Sequence, residues 1–136
     1  ETPLLLHWSG EVLLAAGDVD GARRLLAIAD EHPTDTIRPA MSAHRQFLRA
    51  ALAVATDDGD VEAELAANVD GFVRYDSPPF RAQAHELFGR WLVGRGRGDE
   101  ATEHFDAARR VYTELGATIW LQRVEELAAA DAVGAD

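Results

Sequence analysis

An all-α fold built from helical hairpins is predicted by three features of this 136-residue sequence. Apolar residues recur at spacings of three and four along most of the chain, which is the period of an α-helix. Turns that contain glycine or proline divide the chain into segments of helical length. The chain also repeats itself with a unit of about 40 residues, a length typical of stacked helix hairpins. We therefore expect one domain over residues 1–131, followed by a frayed tail at 132–136.

The first four helices each have a residue suited to a helix end. Pro3 is tolerated in the opening turn of the first helix, and Asp18 is a suitable N-cap for the second. The third helix begins near Pro39, and the fourth follows the turn Asp57-Asp58-Gly59. The predicted ranges are about 3–16, 19–31, 39–56 and 60–75, which form hairpins over 3–32 and 37–75.

The last three helices have clearer boundaries. Ser77-Pro78-Pro79 is typical of an N-cap followed by prolines in the first turn, and it opens a fifth helix over 78–93. A sixth helix over 99–115 completes the third hairpin, 78–115, and Gly116 ends it in a left-handed conformation. Thr118 caps a seventh helix, which we expect over 118–130 as a cap on the array.

The internal repeat appears when the chain is compared with itself at an offset of 79 residues. Residues of the same type then align in one register: Gly10 with Gly89, Leu13 with Leu92, Gly17 with Gly96, Asp20 with Asp99, Ala22 with Ala101, Leu26 with Phe105 and Ala29 with Ala108. A third turn of the same kind, at Gly59, lies between them. Because glycine costs about 1 kcal/mol relative to alanine inside a helix, we expect Gly10 and Gly89 to lie where a partner helix approaches closely.

These intervals of a small residue, a turn glycine, an alanine and a large apolar residue resemble the tetratricopeptide repeat. The second hairpin departs from the pattern, since Leu52 replaces the mid-helix glycine and Glu64 replaces the alanine. The resemblance implies a right-handed superhelix of about three hairpins plus a capping helix. It also implies that the first helix of each hairpin lines a groove.

The C-terminal half carries a narrower resemblance. It comprises FVRY at 72–75, PF at 79–80, GRWL at 89–92, GRGDEA at 96–101 and YTELGATIWL at 112–121. These segments resemble the repeat region of actinobacterial adenylate/guanylate cyclase-like ATPases and of ATPase regulators with a LuxR-type DNA-binding domain. The resemblance implies that the chain is the C-terminal part of a larger signalling ATPase or transcription regulator. A start at Glu1, close to a complete helical pattern, also fits a piece of a longer protein.

Composition excludes several functions. The formal charge is −11, so most of the surface would repel a nucleic-acid backbone or an anionic membrane. No cysteine is present, which removes disulfides, thiolate nucleophiles and cysteine-based metal sites, and a reducing cytoplasm fits this usage. No apolar run approaches the roughly 20 residues that a transmembrane helix needs.

No catalytic, cofactor or metal-binding motif appears. The five histidines lie on different predicted helices, without the spacing that would place two of them on one face for zinc: His7, His32, His44, His85 and His104. The loop 94–98, Gly-Arg-Gly-Arg-Gly, lies before a helix and is an alternative anion site, but it lacks the preceding strand and the lysine of a phosphate-binding loop. Trp8, Trp91 and Trp120 have apolar neighbours at helical spacing, so we expect core packing for all three rather than a ligand cage.

The candidate binding surface is the groove that the family resemblance implies. Its residues, by the pattern of the family, are His7, Glu11, Gln46, Arg49, Gln83, Glu86 and Arg90. This mixture of arginine and glutamate favours a peptide or polar ligand held by charge-assisted hydrogen bonds. Ordinary solvated side chains are the alternative.

The sequence thus predicts a non-enzymatic module for protein interaction or ligand sensing, with no cofactor. Its partner would be a protein, a peptide or other domains of the same parent chain, with no direct nucleic-acid or membrane binding. Self-assembly through exposed repeat ends is an alternative, and a nucleotide- or small-molecule-binding fragment of an enzyme is another. If the seventh helix caps the array, Trp120 should be buried against Phe105, Val111 or Tyr112, and its truncation should cost about 3 to 5 kcal/mol.

Overall fold

A computed structural model describes residues 2–31 and 39–134, and its side chains over 4–31 and 39–130. All regular structure in this part of the chain is helical, as predicted. The helices are α1 (Thr2–Ala15), α2 (Val19–Asp30), α3 (Pro39–Thr56), α4 (Val61–Arg74), α5 (Pro78–Gly94), α6 (Gly98–Leu115) and α7 (Thr118–Gly134). The predicted ends agree to within a residue or two, except that α7 continues past residue 130. No helix among the described residues is long and apolar enough to span a membrane.

The chain divides into two compact units, Glu1–Asp76 and Ser77–Asp136. In the first unit, α1 packs on α2, α3 packs on α4, and α3 also contacts both α1 and α2. In the second unit, α5 packs on α6, and α7 packs mainly on α6 with a smaller contact to α5. Each consecutive pair that the repeat predicts is therefore a packed hairpin.

The turns form largely as their residues dictate. Asp18 and Asp60 each cap a helix by accepting a hydrogen bond from the backbone N–H three residues later, that of Gly21 or of Ala63. Gly116 has φ 66° and ends α6 in the predicted left-handed conformation. Ser77 occupies the N-cap position of α5 but makes no side-chain capping bond, so the serine cap predicted there is not formed. The prolines at the first two helical positions reduce the number of N–H groups that need a partner.

Apolar side chains from the first three helices form the core of the first unit. Leu6 of α1, Ala22 of α2, and Leu48 and Leu52 of α3 make one buried cluster. Leu65 and Phe72 of α4 are also fully buried. The second unit buries a corresponding set, with the large side chains Leu92, Phe105, Tyr112 and Val124 at its centre.

The expected burial of tryptophan is wrong at two of three positions. Trp8 is 55% exposed and Trp120 is 39% exposed. Trp120 does stack on Tyr112, with ring centroids 6.0 Å apart, but fully buried Val124 is the residue with which α7 closes the unit. The Arg123 guanidinium also lies over the Trp120 ring, 4.3 Å from its centroid. The cost of truncating Trp120 should accordingly lie below that of a fully buried aromatic residue.

The two glycines that the repeat aligns are both sites of close packing. A Cβ atom on Gly10 would lie 2.7 Å from Cδ1 of Leu48, and one on Gly89 would lie 2.5 Å from Cε1 of Phe105. The neighbours differ, since Leu48 belongs to α3 whereas Phe105 belongs to α6, within the same hairpin as Gly89. The prediction of close helix approach at these positions is confirmed.

We expect Gly89→Ala to destabilise the chain by about 1 to 3 kcal/mol, even though alanine is the better helix former, because the Phe105 ring is buried and rigid. Gly94→Ala, in the same helix, is the matched control, since no atom lies within 4 Å of a Cβ built there. It should leave stability unchanged or raise it by up to about 1 kcal/mol. Urea denaturation followed by circular dichroism measures both, and a stabilised Gly89→Ala variant would contradict the close approach.

Candidate functional site

His7 is buried within the first unit. Its Nδ1 lies 2.8 Å from Nδ1 of His44, so one imidazole donates a hydrogen bond to the other. The His7 ring stacks on Phe47, with centroids 3.8 Å apart, and its Nε2 lies 3.8 Å from a carboxylate oxygen of Glu11. Burial lowers the pKa of His44 to about 4. The His44 imidazole is therefore neutral at physiological pH, and the pair joins α1 to α3 inside the unit.

Gln46 and Arg49 join α3 to its neighbours. The Gln46 amide donates to the backbone carbonyl of Glu64 at 3.2 Å and to its carboxylate at 2.9 Å. Arg49 donates to Asp30 at 2.6 Å, and buried Arg45 lies 3.3 Å from the same carboxylate. Both candidate side chains thus have partners within the unit, although each keeps part of its surface exposed.

Glu86 lies inside the second unit and is only 3% exposed. The Tyr112 hydroxyl donates to it at 2.7 Å, and the Arg123 guanidinium donates two hydrogen bonds at 2.9 and 2.7 Å. Burial, followed by the adjacent carboxylate, raises the pKa of Tyr112. The hydrogen bonds to Glu86 raise the pKa of Arg123. The network joins α5, α6 and α7 and gives Glu86 a structural role.

The remaining candidates have more solvent access, Gln83 being half-buried and Arg90 exposed. The structure brings His7 and Glu11 together. The seven residues are divided between the two units, four in the first and three in the second. A common groove for all of them stays a prediction.

The arginine loop 94–98 has partners of its own. Arg97 donates to the Glu100 carboxylate at 2.6 and 2.7 Å, and this contact lowers the pKa of Glu100. Arg95 and Arg97 also lie over the Trp91 ring, at 5.1 and 5.8 Å from its centroid. Trp91 thus contributes a cation–π platform. Within the described residues, no group of three or more His, Asp or Glu could hold a metal ion.

A cavity in the second unit was missed by sequence reasoning. Its volume is about 240 Å³, and it is lined by Arg81, His85, Ala107, Arg110, Val111 and Glu114. His85 pairs with His104, their Nδ1 atoms being 2.9 Å apart, and His104 stacks on Phe88 with centroids 4.2 Å apart. The four-residue spacing of Arg81 and His85 was the available signal, because it places both on one face of α5.

An exposed apolar stripe on α1 is the second feature that the sequence did not identify. Leu5, Trp8 and Val12 follow at spacings of three and four and are 65%, 55% and 67% exposed. Leu6, His7 and Gly10 occupy the opposite face and are buried. The helix is thus apolar on two sides but covered on one.

Comparison of the chain with protein-family models, with curated proteins and with solved structures finds no match.

Proposed function

We propose that this chain is a non-enzymatic interaction module and that the exposed stripe of α1 binds an amphipathic helix of a protein partner. The observation that carries the proposal is the two-sided apolar character of α1. A helix that is apolar all round is normally buried on all sides. Here Leu5, Trp8 and Val12 remain in water, and contiguous exposed apolar surface of this kind is typical of interaction sites.

The stripe suits a partner helix because its three residues follow one another at the helical spacings of three and four. Leu5, Trp8 and Val12 form an apolar stripe along α1, and the apolar face of a second helix can pack on such a stripe. The large indole of Trp8 is the expected anchor, since tryptophan is enriched among the residues that dominate binding energy. On the opposite side, the same helix already packs against α2 and α3.

Charge selects the kind of helix. Residues 1–76 contain 14 Asp and Glu against six Arg. Glu11, next to Val12 on α1, has 47% of its side chain exposed. A partner helix with an apolar face and basic flanks therefore complements this unit, whereas an acidic helix is repelled.

A synthetic amphipathic helix with a leucine face and lysine flanks provides the test. We expect fluorescence anisotropy of the labelled peptide to show micromolar binding, and Trp8→Glu to weaken it by about tenfold or more, since it removes the anchor and places a charge in the contact. Val73→Glu is the matched control: Val73 is 53% exposed on α4 of the same unit, and the charge change is identical. That variant should bind as the unmodified chain does.

Two results would oppose the proposal. One is equal binding of a scrambled peptide with the same composition but no apolar face. The other is an equal loss in the Trp8 and Val73 variants. Sedimentation of the chain alone completes the design, because an oligomer that Trp8→Glu dissociates would assign the stripe to a second copy.

We further propose that the module acts in the cytoplasm as the C-terminal part of a signalling ATPase or transcription regulator. The support is the resemblance of residues 115–121, together with the hairpin pairing of the helices. In that setting the partner helix comes from another protein or from another domain of the parent chain. Determining the full-length coding sequence tests the setting, and a parent without a nucleotide-binding domain would oppose it.

A further inference from the structure

The cavity in the second unit places positively charged and hydrogen-bonding groups on two facing helices. Arg81 and His85 come from successive turns of α5, and Arg110 comes from α6. We propose that this cavity binds a phosphate dianion, free or as the terminal group of a small phosphate monoester, through Arg81, Arg110 and His85.

The two guanidinium groups supply the charge. Among the described residues, neither Arg81 nor Arg110 forms an ion pair within 4.0 Å, although Glu114 also lines the cavity. Both arginines lower the pKa of His85, after the larger effects of burial and of His104, so their positive charges lie close to its ring. An anion in the cavity would relieve this repulsion and accept hydrogen bonds from both guanidinium groups.

His85 supplies a neutral donor. Its Nδ1 is engaged with Nδ1 of His104, and Phe88 stacks on the second ring. When His104 donates in this pair, the proton of neutral His85 resides on Nε2. In that tautomer Nε2 of His85 is the nitrogen available to a ligand, and no proton uptake is required for it to donate.

The arrangement favours phosphate over a carboxylate. One guanidinium can satisfy a carboxylate by itself, whereas two guanidinium groups and an imidazole suit a tetrahedral dianion with more acceptor oxygens. Ala107 and Val111 complete the wall with apolar surface, which suits the carbon portion of a monoester. The carboxylate of Glu114 repels any anion in the cavity and should limit the affinity of the site for phosphate.

This site is independent of the α1 stripe, because it is built entirely from residues of the second unit. Failure of the helix-binding proposal would leave it unaffected, and the reverse also holds.

Calorimetric titration of the full chain with inorganic phosphate near pH 7.5 provides the test. We expect saturable binding, and we expect Arg81→Gln and Arg110→Gln each to weaken it by about tenfold, since each loses a hydrogen bond between charged groups. Arg90→Gln is the matched control, because Arg90 is exposed on the same helix as Arg81 but does not line the cavity. It should retain the affinity of the unmodified chain.

Two further titrations sharpen the result. Glu114→Gln should bind phosphate several-fold more tightly, because it removes the opposing charge. Glycerol 3-phosphate distinguishes the two sources of the ligand, since tighter binding than inorganic phosphate assigns the site to a monoester and exclusion of the ester assigns it to the free ion. The proposal is overturned if inorganic phosphate does not bind, if acetate binds as tightly, or if Arg90→Gln weakens binding as much as the cavity variants. Circular dichroism of each variant establishes that the helices are intact.

Discussion

Acidification from about pH 7.5 to about pH 5 is expected to lower the free energy of unfolding by about 2 kcal/mol through His44 alone. Burial lowers the pKa of His44 from 6.5 to about 4 in the folded chain. Between these two values the unfolded chain binds a proton that the folded chain does not. The contribution of His44 to stability is therefore complete above its ordinary pKa, and it is lost as the pH falls through 6.5 toward 4.

The second unit should lose stability in the same direction. Burial, with contributions from His104, Arg81 and Arg110, lowers the pKa of His85 to about 4. Burial also lowers the pKa of His104, against the opposing effect of Glu103 and Glu100. Because these rings are only partly buried, we expect a smaller effect per histidine than at His44.

Urea denaturation at a series of pH values measures the loss. The double variant His7→Leu/His44→Leu separates the contribution of the first unit, since it replaces both hydrogen-bonding partners with apolar side chains and leaves no polar atom of the pair buried. Between about pH 7.5 and about pH 5, the unmodified chain should lose about 2 kcal/mol more of its free energy of unfolding than this variant loses. An unchanged pH dependence in this variant would contradict the lowered pKa, because it would show that His44 takes up its proton as readily in the folded chain as in the unfolded chain.

The helices and their ends could be predicted because their signals are local. Asp18 caps α2 through a residue only three positions away, and Gly116 ends α6 by its own conformation. The tight packing at Gly89 could also be predicted, because glycine is unfavourable inside a helix unless a neighbouring group approaches closely. Each of these inferences needs only a few neighbouring residues.

The histidine pairs could not be predicted in this way. His7 and His44 are 37 residues apart, and His85 and His104 are 19 apart. Each pair lies at a contact between helices, and the sequence does not specify which turns of two helices meet. Without that register, the sequence assigns the histidines to separate helices and does not pair them.

The exposure of Trp8 was missed for a related reason. α1 is apolar on both faces, so periodicity identifies the helix without indicating which face is covered. The side toward α2 and α3 is covered, and the Trp8 side is not. Glu86 was assigned to the groove by the pattern of the repeat family, and that pattern does not indicate that its side chain is buried.

Replacing Glu86 by alanine is expected to cost about 3 kcal/mol of stability, the largest effect that we predict for a single polar side chain. The substitution leaves the buried Tyr112 hydroxyl without the acceptor that it has at 2.7 Å. It also removes both hydrogen bonds from Arg123, which join α7 to α5. About half of the Arg123 side chain is exposed, so water can hydrate its charge after the substitution. The cost therefore stays below that of leaving a fully buried ion without a partner.

Tyr112→Phe isolates one part of this network. Alone it should cost about 1 kcal/mol, and in a Glu86→Ala background much less, because the hydroxyl has already lost its acceptor. Glu126→Ala is the matched control for loss of a carboxylate, since Glu126 is exposed on α7. It should change stability by no more than about 0.5 kcal/mol. Urea denaturation of the unmodified chain, Glu86→Ala, Tyr112→Phe and the double variant gives the coupling energy directly. If Glu86 served a solvent-facing groove, Glu86→Ala would match Glu126→Ala, and Tyr112→Phe would cost the same in both backgrounds.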